Sequence, residues 1–253
     1  MRVSFDDCVE ELVKNNPESE YKLKEWEKRY ERLESPREKV LQHKFISEVK
    51  RFTHEFLFRI TASDVKKIGE ETRHALGDLK SDTDPIQDVE DFYTPFAVEY
   101  FLHGLLEENK RLPTFQEFWG AMGGKYKKYY MDELFLKLGG KYDKICLKRA
   151  IQWRLGKFYY SWLRELYVLA LLRENHGLAL KYHLFADLVL SIDAWYGKKV
   201  LCIRVPSKYA SRKSSPPHGF TIVEARIPRQ GYGKPWLLDE TELERIAQKF
   251  REP

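Results

Sequence analysis

Five side chains between residues 164 and 208 are of types that do chemistry: Glu165, Asp187, Asp193, Arg204 and Lys208. Glu165 is surrounded at helical spacing by Phe158, Ser161, Trp162, Val168, Leu169 and Leu172. A carboxylate on such a stripe is costly unless it pairs with a cation or coordinates one. Arg154 and Arg204 are the candidate ion-pair partners. The later acids are separated by strand arithmetic. Asp187–Ala194 and Lys199–Val205 alternate as two strands, and Tyr196-Gly197 between them suits a tight turn. If Trp195 faces Lys198, then Val189 faces Arg204, and the polar residues of both strands share one working face. Asp187 and Asp193 share that face, but at about 3.3 Å per residue they lie roughly 20 Å apart and cannot hold one cation. Asp187 falls at the open end, near Pro206 and Lys208. Asp193 falls by the turn, near Lys198 and Lys199, as a surface ion pair.

A second group is Lys125-Tyr126-Lys127-Lys128-Tyr129-Tyr130, where bases and aromatics interleave. Such a run can hold phosphates and stack bases. It can equally be a helical linker with solvated lysines and core tyrosines. Charge bears on the choice. Residues 121–253 hold 25 Lys+Arg against 13 Asp+Glu, whereas residues 1–120 hold 19 against 26. A basic half facing a polyanion is one expectation, and two halves attracting each other is the other.

The elements that must position these residues are mostly helical. Residues 5–33 read as helix, divided at Pro17. Ser35-Pro36 opens a helix whose apolar residues, from Val40 to Ile60, recur mostly every three or four positions. Thr61-Ala-Ser-Asp can cap a short helix. The three aspartates of Gly77–Pro85 lack the spacing of a calcium loop and read as a solvated loop. Phe92–Leu106 is an apolar helix. Thr114 and Glu117 have capping-box spacing before a helix over Phe115–Met122, which ends at Gly123-Gly124. A second short helix, Met131–Leu138, ends at Gly139-Gly140, and this pair of helices suggests a helix-turn-helix. Residues 147–173 form the longest apolar helix. Beyond Gly177 the period changes from 3.6 to 2, so the class changes from all-α to mixed. Asp239 caps a final helix.

Several classes find no support. No phosphate-binding glycine loop, metal-spaced histidine pair or nucleophile elbow is present in the sequence. There is no run of about 18 apolar residues, and the amino terminus has no apolar signal core. Cys8, Cys146 and Cys202 fit neither a disulfide framework nor a zinc site. A cytoplasmic, intracellular protein is expected, associated with the nucleoid if it binds DNA.

A helix with an inward Glu, a strand carrying Asp after Phe185-Ala186, and a following strand with a basic residue resemble the PD-(D/E)XK superfamily, the restriction-endonuclease-like nucleases. The resemblance covers roughly residues 158–227, and its second motif is degenerate. Where the family has an acid, any residue and Lys, this chain reads Cys202-Ile-Arg-Val-Pro-Ser-Lys208. Arg204 or Pro206 stands in place of the acid. Glu224, on a strand Phe220–Ile227 where it shares a face with Phe220, Ile222 and Arg226, is a migrated carboxylate, and Lys213 is an alternative lysine.

The resemblance implies a catalytic set of Asp187, Lys208, Glu165 and Glu224. Asp187, Glu165 and Glu224 would hold Mg²⁺ (or Mn²⁺), which lowers the pKa of a bound water and neutralises charge on the phosphorane. Lys125, Tyr126, Lys127, Lys128, Arg204, Arg212 and Lys213 would contact nucleic acid. The expected fold is α+β: a helical domain over residues 1–112, then a basic domain over 113–253 with a helix-turn-helix-like start and a small mixed β-sheet on the long helix. The expected function is metal-dependent endonucleolytic cleavage of DNA, of restriction, transposition or repair type. The alternative is a non-catalytic nucleic-acid-binding or assembly protein on a degenerate nuclease fold. DNA is the expected partner, with a homodimer or larger nucleoprotein assembly compatible.

Overall fold

The computed structural model describes residues 1–34, 36–79, 84–90, 98–205 and 218–252. The protein is mixed α+β: helices dominate, and there is one three-stranded mixed sheet. Helix α1 (Phe5–Cys8) continues into a π-helical turn, Val9–Val13, and is followed by α2 (Pro17–Glu27) and α3 (Pro36–Val49). Next come α4 (Ala62–Glu71), α5 (Asp84–Glu90), α6 (Val98–Asn109), α7 (Phe115–Gly123), α8 (Met131–Leu138) and the long α9 (Lys144–His176). Helix α10 (Leu184–Leu190) leads to β1 (Ala194–Tyr196), β2 (Lys199–Arg204), β3 (Thr221–Arg226) and α11 (Glu240–Arg251). Among the described residues no helix is long and apolar enough to cross a membrane.

Local chemistry sets most of these boundaries. Asn16 accepts from the Ser19 N–H, and Pro17 occupies the first turn of α2, where its missing N–H costs nothing. Thr114 and Glu117 form a complete capping box on α7, and glycines end α7 and α8. Asp239 accepts from the Glu242 N–H to start α11. Of the helix expected over Phe92–Leu106, residues 92–97 lie outside the described residues, and Val98–Asn109 is helical. Helix α3 differs: it stops at Val49 instead of continuing to Ile60. His54 takes the left-handed conformation, φ 48°, which breaks the helical run. Leu57 and Ile60 still reach the core, Leu57 within a separate 3₁₀ turn, Leu57–Arg59, and Ile60 just after it.

The chain divides into two compact units interleaved in sequence. Unit one holds Met1–Ala62, Glu165–Arg229 and Trp236–Pro253, and unit two holds Ser63–Arg164 and Gln230–Pro235. The division falls inside α9, between Arg164 and Glu165, and the 112/113 boundary expected from sequence lies within unit two. Unit two buries Phe101, Phe118, Met122, Leu134, Tyr159 and Trp162. The Tyr159 hydroxyl lies 2.8 Å from the Pro113 carbonyl oxygen and 3.1 Å from the Thr72 hydroxyl, so the buried phenol is satisfied. Gly156 lets α9 lie against the backbone of Ala75: a Cβ there would stand 2.4 Å from the Ala75 oxygen. Unit one buries Leu12, Tyr182, Phe185 and Trp195. Glu11, in the π-helical turn, accepts from Trp195 Nε1 at 2.8 Å and pairs with Lys181.

In the sheet, β1 runs antiparallel to β2, and β3 joins β2 in parallel. Trp195 faces Val200, with Gly197-Lys198 as the connecting loop and Gly197 at φ 58°. The register is therefore two residues away from the expected Trp195–Lys198 pairing. Ala194, Trp195, Val200 and Leu201 are all buried, so both faces of the hairpin are covered and it offers no polar working face.

Candidate functional site

Asp187 does not lie on a strand. It occupies the first turn of α10, half-buried, where the helix dipole favours a carboxylate. The segment Leu184–Leu190 is helical because His183 caps its start and Ser191, at φ 58°, closes its end. Leu184, Phe185, Ala186 and Leu190 are the residues it buries. The apolar-polar alternation of Asp187-Leu-Val-Leu-Ser-Ile thus belongs to a short helix and its exit. Asp193 bonds to the backbone of β2. Its carboxylate accepts the Ile203 N–H and its own N–H donates to Leu201, so it continues the hairpin ladder beyond β1. Glu165 lies half-buried on α9, among the buried residues Leu166, Val168, Leu169 and Leu172. Of the cations named for it, Arg154 stands 3.5 Å from Glu90, and Arg204 stands 3.9 Å from Glu224.

Two of the expected site residues do come together. Across the parallel pair, Cys202 faces Glu224 and Arg204 faces Arg226. These four side chains share one face of the sheet. Glu224 therefore sits between two guanidiniums, with Arg226 at 3.1 Å and Arg204 at 3.9 Å. The outer edge of β3 is covered by α11. Arg245 donates to the Glu224 carbonyl oxygen at 2.5 Å, and Glu242 accepts the Arg226 N–H at 2.8 Å. Those are the bonds a fourth strand would have made. The Arg245 guanidinium, with the Arg226 amide behind it, holds the Glu242 carboxyl below the usual carboxylate range.

A metal ion does not fit the expected set. Among the described residues no three or more His, Cys, Asp and Glu are grouped so as to hold one, and Asp187, Glu165 and Glu224 make no such group. Glu224 is already opposed by two guanidiniums. Lys208, Arg212 and Lys213 lie outside the described residues.

The Lys125–Tyr130 run buries Tyr126 and Tyr130 and pairs two of its exposed lysines at the surface. Lys125 pairs with Glu108, Lys127 lies 3.3 Å from Asp132, and Tyr126 is buried. Lys128 lies over the Tyr129 ring at 5.0 Å. Other bases of unit two are used in the same way. Glu90 takes both Lys157, at 2.6 Å, and Arg154. Asp88 takes Lys141 at 2.7 Å and the Tyr142 hydroxyl at 2.8 Å, which together hold its carboxyl down. The consequence appears in the charge of each unit. Unit one holds 26 Lys+Arg against 23 Asp+Glu, and unit two holds 18 against 16. The acidic stretch before residue 121 and the basic stretch after it neutralise each other within unit two, so the asymmetry along the sequence does not survive folding.

One basic patch escapes this neutralisation, and sequence reasoning overlooked it. Lys144, Lys148 and Arg149, in the first two turns of α9, are exposed and have no carboxylate partner among the described residues. At about 100° per residue they span roughly 140° of the helix, around Ile145, which is 68% exposed. The buried face of Leu147, Ala150 and Ile151 lies opposite. Asp143 caps the start, accepting the N–H groups of Ile145 and Cys146 at 2.9 Å each. Lys144 sits in the first turn, whose positive end the Asp143 carboxylate offsets, and Lys148 and Arg149 follow in the second turn. The available signal was the absence of acids after Asp143 in Lys144-Ile-Cys-Leu-Lys-Arg149. Comparison with protein-family models, with curated proteins and with solved structures returned no match to this chain.

Proposed function

We propose that the protein binds nucleic acid without cutting it, and that Lys144, Lys148 and Arg149 are its phosphate contacts. The observation that carries this reading is the set of three exposed cations on the amino-terminal turns of the longest helix, with no carboxylate partner among the described residues. Phosphate oxygens accept from Lys and Arg and release counterions as they do so. Arg204 and Arg226, which face each other across β2 and β3, form a second cationic feature, already offset in part by Glu224. The contacts named are to backbone phosphates, so the binding is expected to be salt-sensitive and tolerant of sequence.

Endonucleolytic cleavage would require carboxylates converging on a divalent ion. Among the described residues Asp187, Glu165 and Glu224 form no such group. A gel-shift titration at low salt with duplex DNA, single-stranded DNA and RNA tests binding. The same samples, incubated with plasmid and Mg²⁺ or Mn²⁺, test cleavage. Retardation without nicking is expected. Absence of any shift at low salt would end the nucleic-acid reading. Nicking that disappears in Asp187→Ala would restore the endonuclease.

A further inference from the structure

His54 and His183 are both fully buried, and their rings meet edge to face with centroids 4.9 Å apart. His183 is the N-cap of α10. Its Nδ1 accepts the Phe185 N–H at 3.0 Å, and its Nε2 lies 3.2 Å from the Phe52 carbonyl oxygen. A carbonyl only accepts, so Nε2 carries the ring proton and Nδ1 keeps a lone pair. His54 Nε2 accepts the Leu184 N–H at 3.1 Å, so that nitrogen keeps its lone pair and the proton is on Nδ1. Two N–H groups at the start of α10, which no helical carbonyl can satisfy, are therefore held by imidazole lone pairs. One of these imidazoles arrives from 130 residues away along the chain.

We propose that His54 and His183 form an acid-released clasp on the amino end of α10. An imidazolium has two N–H donors and no acceptor, so protonating either ring sets donor against donor and frees the helix that carries Asp187.

The surroundings decide where this happens. From α1, Asp7 acts on His183 and the Phe5 ring lies 6.4 Å from its imidazole, while the nearby Glu11 carboxylate is held by Lys181 and Trp195. Lys50 follows α3, paired with Glu27 of α2 and lying over the Phe5 ring. The Tyr182 ring meets His54, and Asp187 lies in α10 itself. Burial outweighs the attraction of Asp7 and brings His183 down to about 4. An unfolded or opened His titrates near 6.5. The folded value is depressed, so the clasp is intact above about pH 6.5 and is lost as pH falls towards about 4. By linkage, the opening equilibrium rises about 30-fold at pH 5 and about 300-fold once both values are passed.

Hydrogen exchange at the Leu184 and Phe185 amides of the full chain, corrected for intrinsic rates, tests the proposal. The unmodified protein should show the 30-fold rise between about pH 8 and pH 5. The double variant His54→Gln with His183→Asn keeps carbonyl acceptors that do not titrate, and should show none. A rise of equal size in both proteins, or none in the unmodified one, would overturn the clasp. A second readout needs no variant. Imidazole ¹⁵N shifts at neutral pH should report opposite tautomers, Nε2–H at His183 and Nδ1–H at His54. Any other combination overturns it.

Discussion

Removing charge at the start of α9 gives the sharpest test of the binding surface. Three phosphate contacts predict a slope of about −2.7 in log affinity against log salt, from about −0.9 per contact on duplex DNA. Raising salt about fourfold, from about 50 to about 200 mM, should then weaken binding about 40-fold. Lys148→Ala leaves two contacts, a slope of about −1.8 and a loss of about 12-fold over the same range. Lys144→Ala and Arg149→Ala should each behave alike, because all three side chains are exposed and without carboxylate partners among the described residues. Lys125→Ala is the control: its ammonium is already taken by Glu108, so the slope should remain that of the unmodified protein. Anisotropy of a labelled duplex across the salt series reads all five slopes. If Lys125→Ala flattens the slope as much as Lys148→Ala, or if no variant changes it, the assignment of phosphates to α9 is wrong.

Four further outcomes follow from the packing. Gly156→Ala should destabilise unit two by about 1–3 kcal/mol in urea unfolding, because its Cβ would press on the backbone of Ala75; a neutral result would show that α9 can shift. Glu117, held down to about 2 chiefly by Arg111, contributes stability that is present above about pH 4.5 and lost as pH falls towards 2. Solvent screening at this exposed pair limits that contribution to about 1 kcal/mol, and Glu117→Gln should remove it from the acid limb of a stability–pH curve. Glu11→Ala strands the buried Trp195 indole N–H and should cost about 1–3 kcal/mol, read from the urea midpoint and from Trp fluorescence. Glu242→Ala should speed hydrogen exchange at the Arg226 amide while leaving that at Val223, on the buried face of β3, unchanged.

How much of this was legible depends on how local the cause was. The Thr114–Glu117 box, the glycines after α7 and α8, and the Asp239 cap lie within a few residues of the ends they define, and the sequence announces them. The mixed class was also visible, from the change of period after Gly177. Helix α10 was not, because alternation over seven residues fits both a strand and a short amphipathic helix. What decides for the helix includes an imidazole at residue 54. The site suffered in the same way. The strand arithmetic placed Asp187 on the polar face of a strand, whereas its segment folds as α10. Lys125 looked available because Glu108, its partner, is 17 residues away, and Lys157 meets Glu90 across 67. Ion pairs at such separations are set by tertiary packing, so a running charge count cannot find them.

The covering of β3 by α11 also bears on synthesis. Glu242 and Arg245 reach the ribosome's active centre only after both parallel strands have been made. Until α11 docks, a finished β3 has neither its helix nor a fourth strand beside it, and its amides are open to any extended segment nearby. Truncation before Asp239 would make that exposure permanent. Helix α11 thus acts as an intramolecular guard for a sheet too small to protect its own border.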